Sequence, residues 1–272
     1  MKTLDHLLSP IKIRNLDIPN RLVLPPMGTG LGNDDSTVSE ANLAYIKRRA
    51  QSGVGLFITE ITCVHPSGLV ASHALGVWDD KFIPGLSQVA QAIHAGGAKA
   101  CMQLHHCGRE NYLFLKQKKA IGPSAVPSFI FGFMGPPREM TLDEIAEIID
   151  AFGAGAARAK KAGFDMVELH GAHGYLLMQF LSGHSNKRTD RYGGDFKGRA
   201  RFMIECIASV RKAVGPDFPI SIRVSGEEGV KDGYGIDDLL TIIPDLEAAG
   251  ADMINVSFST HGSPEVNIDT PN

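Results

Sequence analysis

The run His170-Gly171-Ala172-His173-Gly174-Tyr175 places two imidazoles and a phenol within six residues, separated by glycine and alanine. It follows the apolar stretch Phe164-Asp165-Met166-Val167-Glu168-Leu169, so it falls where a buried strand should end. In parallel α/β proteins that end of the strand carries the chemistry. Neutral imidazoles donate hydrogen bonds, and two of them three residues apart across a turn can converge on one carbonyl oxygen that gains negative charge in a transition state. A phenol of ordinary pKa, about 10, is a proton donor at neutral pH. Two donors to an oxygen plus one weak acid suit an enolate-forming reduction. Hydride adds to the β-carbon of an unsaturated carbonyl compound, charge builds on oxygen, and the phenol protonates the α-carbon. No side chain supplies a hydride, so this chemistry calls for a redox cofactor.

A weak internal repeat indicates what positions these groups. Ala95-Gly96, Ala162-Gly163 and Ala249-Gly250 each close a helix-like segment and lead into a short apolar strand ending in a polar residue. Glycine suits the left-handed position that closes a helix. Strands are expected near Arg21–Pro26, Val54–Glu60, Ala98–Leu104, Asp165–Leu169, Pro219–Val224 and Asp252–Val256. Amphipathic helices are expected over Ser39–Ala50, Lys81–His94 with an early interruption at Pro84, Leu142–Lys161, Gly198–Val214 and Asp237–Ala248. Thr141-x-x-Glu144 is a capping-box pattern. Alternation of this kind builds a parallel sheet, and the best reading is an α/β (β/α)8 TIM barrel with about six of its eight units in this chain. A doubly wound open sheet is the second reading, but Pro25-Pro26-Met27-Gly28-Thr29-Gly30 does not match its G-x-G-x-x-G phosphate turn.

The composition is that of a globular protein: 272 residues, 43% hydrophobic and 21% charged, net charge −3. There is no dense basic block, signal peptide or membrane-length apolar run, so neither nucleic acid nor membrane is an expected partner. Cys63, Cys101, Cys107 and Cys206 form no C-x-x-C pair, so no disulfide framework, zinc site or iron–sulfur site is visible and the expected compartment is the reducing cytoplasm. A homo-oligomer is compatible with all of this.

Polar residues at the expected strand ends are Glu60, Gln103, His105, His106, His170, His173, Arg223 and, shortly after strand six, His261. Several have bland readings. Glu60 reads first as an internal salt-bridge partner, Gln103 as a core amide, His261 as a surface histidine and Cys107 as an inert thiol. His105 and His106 should point to opposite sides of their strand. Arg223 needs an anionic or carbonyl partner, which a structural carboxylate or a ligand would serve equally. Besides a redox enzyme, the residues allow a barrel hydrolase with His105, His170, His173 and His261 as metal ligands, or a catalytically silent barrel fragment.

Four stretches resemble the Old Yellow Enzyme family of FMN-dependent NAD(P)H:flavin oxidoreductases and ene-reductases, and the resemblance runs from about Leu4 to the end of the chain. They are Asn20–Met27, Gln103–Arg109, His170–Tyr175 with its continuation through Phe180-Leu181-Ser182 and Ser185–Gly194 to Phe202, and Ile222–Ser225. The resemblance implies one FMN-binding TIM-barrel domain over 1–272 that lacks the last units, with NADH or NADPH as electron donor. It implies that Pro26, Met27, Gly28, Ile61, Gln103 and Arg223 bind the flavin. It further implies that His170 and His173 bind the substrate carbonyl and that Tyr175 donates the proton. Met27-Gly28-Thr29 and His261 are similar to 2-enoate and 2,4-dienoyl-CoA reductases, in which such a histidine assists the tyrosine. In those larger members a [4Fe–4S] cluster and FAD lie on a longer chain. The segment from Ser185 to Asp190 is expected to brace the mouth of the barrel rather than to react.

Six units take the sequence to about Ser259, and in many barrels the loops after the last two strands hold the phosphate. The 272-residue protein on its own is therefore expected to retain FMN weakly or not at all. Flavin absorbance per mole of purified protein checks this; a stoichiometric, tightly held flavin contradicts it.

Overall fold

The structure is a computed structural model that describes residues 4–112, 114, 117 and 119–260. Besides the two-residue strand Leu75–Gly76, which pairs with Thr62 and Cys63, six strands form its main sheet: β1 (Val23–Leu24), β2 (Leu56–Cys63), β3 (Lys99–His105), β4 (Met166–Gly171), β5 (Ile220–Ser225) and β6 (Met253–Ser257). They lie in unbroken chain order, and each is parallel to its neighbour. A doubly wound sheet reverses its strand order at a switch point. This one never does, which decides for the barrel. Among the described residues β1 pairs only with β2 and β6 only with β5, so the arc has two edges that a closed barrel would join. Val256 on β6 is accordingly 61% exposed, although it belongs to a strand.

Helices α1 (Glu40–Ala50), α2 (Ile83–Ala95), α3 (Leu142–Lys161), α4 (Leu176–Leu181), α5 (Phe196–Val214) and α6 (Ile243–Ala249) accompany the strands. Local chemistry explains their limits. Ser39 caps α1 by accepting from the Asn42 amide, and Thr141 and Glu144 form both halves of a capping box on α3. Pro84 does not interrupt α2. It lies in the first turn, where its missing N–H would have had no helical partner, and a 3-10 turn over Asp80–Phe82 precedes it. The helix expected over Asp237–Ala248 is two, Ile236–Leu240 and α6, with Pro244 opening the second. The repeat glycines differ in detail: Gly163 and Gly250 are left-handed, whereas after α2 the left-handed residue is Gly97 and Gly96 has φ −83°.

Period-two alternation gives the sheet two unlike faces. Outward, Phe57, Met102, Leu104, Val167, Leu169, Ile220, Ile222 and Val224 join the core under the helices. Inward, the residues form layers. Leu56, Ile58, Cys101 and Met166 make an apolar floor. Ile18 and the rest of an antiparallel hairpin, Ile11–Ile13 with Leu16–Ile18, pack against that floor. Above the floor the registered positions become polar: Gln103 opposite Glu168, and Glu168 opposite Ser221. The upper layer sets His170 opposite Arg223 and Ser225 opposite Ser257.

Among the described residues, no helix is long and apolar enough to cross a membrane. Phe152 on α3 is fully buried in the core, where α3 packs on α5. Phe152→Ala should cost about 3–5 kcal/mol of stability, read from denaturant unfolding. A loss below about 1 kcal/mol would show that this contact does not hold the helical layer on the sheet.

Candidate active site

A cleft of about 210 Å3 opens at the C-terminal rim of the sheet, lined by Pro26, Gly28, Ile61, Gln103, His170, His173, Tyr175 and Arg223. All eight belong to the sequence-predicted set. Met27 does not join them with its side chain, which lines a neighbouring cleft with Leu24, Pro25 and Tyr45. His261 lies outside the described residues.

The floor and sides of the cleft come from β2, β3 and β5. On β2 the pairing with β3 slips between Ile58 and Ile61, a bulge that brings Ile61 opposite Gln103. Glu60, next to the bulge, makes no ion pair among the described residues. It accepts hydrogen bonds from the Thr29 amide and hydroxyl at 2.9 and 2.6 Å and from Asn42 Nδ2 at 2.6 Å. The expected salt bridge is replaced by neutral donors, and the carboxylate ties the Pro26–Gly28 loop over the mouth. Arg223 donates through Nη2 to Ser257 Oγ at 3.3 Å, while its buried Nε has no hydrogen-bond partner among the described residues. Burial lowers its pKa and the charge of Glu168 opposes this.

The other side is built on a backbone turn. His173 and Gly174 have φ of +60° and +81°. For histidine that conformation costs about 1–2 kcal/mol and must be held by its surroundings. The His173 amide donates to Ser225 Oγ at 3.2 Å, and Nε2 meets Ser257 Oγ at 2.6 Å. Ser257 Oγ has two acceptor positions, so its bond from Arg223 is compatible with either tautomer of His173. His170 Nδ1 accepts from the Ala172 amide at 3.4 Å, which leaves its N–H on Nε2. His170 Nε2 and His173 Nδ1 lie 3.4 Å apart. In residues that line the cleft, two nitrogens so placed are close enough to meet a single ligand oxygen.

Tyr175 caps α4 in an extended conformation, and its ring meets those of His105 at 4.4 Å and His170 at 5.0 Å, edge to face. Its pKa is raised, first by burial and then by Cys107, Glu110 and Cys63, so it is a phenol rather than a phenolate at neutral pH. His105 and His106 do point apart. His106 meets Ser67 Oγ at 2.9 Å on the outer side, and burial holds it well below the usual imidazole pKa. All four cysteines are free and buried, and burial raises the Cys107 thiol well above its ordinary value. Among the described residues, no three His, Cys, Asp or Glu side chains are grouped to hold a metal ion.

Sequence reasoning missed the supports. Gln179 donates to the Cys107 and Gly174 carbonyls at 3.0 and 2.6 Å and accepts from the Arg109 amide at 3.1 Å, clamping the loop after β3 to the turn after β4. Its signal was its place one helical turn after Tyr175. Ser225 stood in a quoted stretch without a role, and Ser257 ends the third repeat strand. The segment after α4 braces the mouth as expected. Asn186 donates to the Phe180 and Tyr192 carbonyls, and Arg188 to those of Pro123 and Met140.

The sequence profile of the NADH:flavin oxidoreductase / NADH oxidase family matches residues 6–267. The chain belongs to this family. It is an FMN family that draws electrons from NADH or NADPH. The chain is 44% identical to an NADH oxidase of Thermoanaerobacter brockii over 260 residues, 95% of this chain and 40% of that protein. It is 39% identical to an NADPH dehydrogenase of Halalkalibacterium halodurans over 92% of this chain and 72% of that one. The fold matches a 2-naphthoyl-CoA reductase in complex with 2-naphthoyl-CoA, with a TM-score of 0.91 at 30% identity over 96% of this chain and 42% of that one. It also matches Old Yellow Enzyme from a Pichia species, with a TM-score of 0.83 at 30% identity over 92% of this chain and 70% of that one. The chain thus spans about two fifths of the longer relatives.

The residues fit a flavin. Arg223 presents a buried, unpartnered N–H, and Gln103 presents an amide beside it, which suits the polar pyrimidine edge of an isoalloxazine. Replacing Gln179 by leucine would strand three buried backbone groups, at about 1–3 kcal/mol each before relaxation. The expected outcome is a loss of at least about 3 kcal/mol in denaturant unfolding; an unchanged midpoint would show that the two loops hold without the clamp.

Proposed function

We propose that this chain is the barrel portion of an FMN-dependent NAD(P)H oxidoreductase that reduces the activated C=C bond of an α,β-unsaturated carbonyl compound. The observation that carries the reading is the single cleft in which His170, His173 and Tyr175 face Gln103 and Arg223. Bound FMN, reduced by NAD(P)H, supplies the hydride to the substrate β-carbon.

The following tasks fall to residues of this chain. Pro26, Gly28, Ile61 and Gln103 hold the ring system, with Met27 contributing through its backbone. Arg223 offers positive charge where the reduced flavin is anionic. With substrate bound, His173 takes the Nδ1–H tautomer while Ser257 Oγ donates to its Nε2, so His170 Nε2 and His173 Nδ1 both donate to the carbonyl oxygen and stabilise the charge that builds there. Tyr175 holds its proton until the α-carbon becomes basic, and then donates it. His261 is assigned to assist Tyr175.

Tyr175→Phe is expected to slow oxidation of the reduced, flavin-loaded protein by an enone about 100-fold or more, and to leave reduction by NAD(P)H nearly unchanged. Stopped-flow measurement of the two half-reactions separates these; equal effects on both would remove Tyr175 from the proton-donor role. Because its pKa is raised in the fold, the acid form persists on the alkaline side. The enone half-reaction should therefore stay flat to about pH 10, and a fall centred well below that would contradict the assignment.

A further inference from the structure

Glu168 is a fully buried acid to which the proposed reaction gives no task. It accepts from Gln103 Nε2 at 2.8 Å, from Ser221 Oγ at 3.0 Å and from Asn255 Nδ2 at 2.8 Å. These donors stand on β3, β5 and β6, so one carboxylate on β4 collects a bond from every strand around it. Burial raises its pKa, while the donors Asn255, Gln103 and Ser221 and the charge of Arg223 favour the carboxylate, which only accepts and so fixes the direction of its partners. The Gln103 amide must turn its NH2 to Glu168.

We infer that Glu168 is a positioning residue that sets the polarity of the cleft: it pins Gln103 so that Oε1 is offered to the ligand as an acceptor beside the Arg223 donor. A ligand edge that meets both carries an N–H next to a carbonyl, as an imide or the pyrimidine edge of a flavin does. The inference rests on the flavin reading for the ligand's identity, and on the hydrogen bonds alone for the clamp. A neutral amide at position 168 could donate as readily as accept, and Gln103 would then be free to reverse.

The test follows the Gln103 side-chain amide by 15N NMR in the protein containing this chain, together with FMN titrations by fluorescence quenching. In the wild type, the amide protons and the Glu168 carboxylate carbon should move together as acid protonates Glu168. Glu168→Gln should abolish that transition and weaken FMN binding tenfold or more. An amide signal indifferent to Glu168 titration overturns the proposal without any variant, so it is decided even if Glu168→Gln fails to fold. FMN bound within twofold by wild type and variant also overturns it. Coupled titration in a wild type that takes up no FMN even when FMN is added in large excess supports the clamp and removes the flavin reading instead.

Discussion

Parallel pairing in unbroken order aligns the C-terminal ends of six strands on one rim, and every group in the cleft depends on that alignment. Register does the placing: Gln103 beside Glu168, His170 beside Arg223, Arg223 beside Asn255. A slip of one residue in any strand would exchange its inner and outer faces, putting Leu169 or Val224 into the cleft and a histidine or guanidinium under the helices. The apolar outer face therefore fixes the polar inner one. Its burial under α2, α3 and α5 selects the register in which the reactive side chains converge.

The inner face grades from apolar to polar along the barrel axis. Ile58, Cys101 and Met166 close the floor with the hairpin, and Glu168 is fully buried. Burying a carboxylate costs several kcal/mol. Bonds to a charged acceptor contribute about 1.5–3 kcal/mol each, so three of them make the burial tolerable. The left-handed His173 costs less, and Ser225 and Ser257 hold it. Backbone strain kept at such a point is a common mark of a functional turn. Ser257 serves both sides of the cleft, since it accepts from Arg223 and meets His173 Nε2.

Much of this was legible in the sequence. The Ala-Gly repeat located the third, fourth and sixth strands to within two residues, because closing a helix and entering a buried parallel strand need particular residue types. The starts of the third to sixth strands came out one residue early, since the residue after each turn is extended but not yet paired. The His170–Tyr175 run and the resemblance together named the cleft residues, because these are the groups that must meet a ligand. The supports were not legible. Glu168 and Ser221 alternate with apolar neighbours as any inward residues do, and only pairing shows that they bond across strands. The bulge at Glu60 and the split of the last helix depend on tertiary packing, which no local pattern encodes. The N-terminal hairpin was missed because its alternation spans only three residues per strand.

The central claim is that His170, His173 and Tyr175 act together on one carbonyl compound held against a flavin. A crystal structure of the flavin-loaded protein with a bound α,β-unsaturated ketone tests it most directly. The account predicts the ketone oxygen within about 3.2 Å of both His170 Nε2 and His173 Nδ1, with the Tyr175 hydroxyl over the α-carbon. A ketone oxygen bound elsewhere, or a Tyr175 hydroxyl out of reach of the α-carbon, would contradict it.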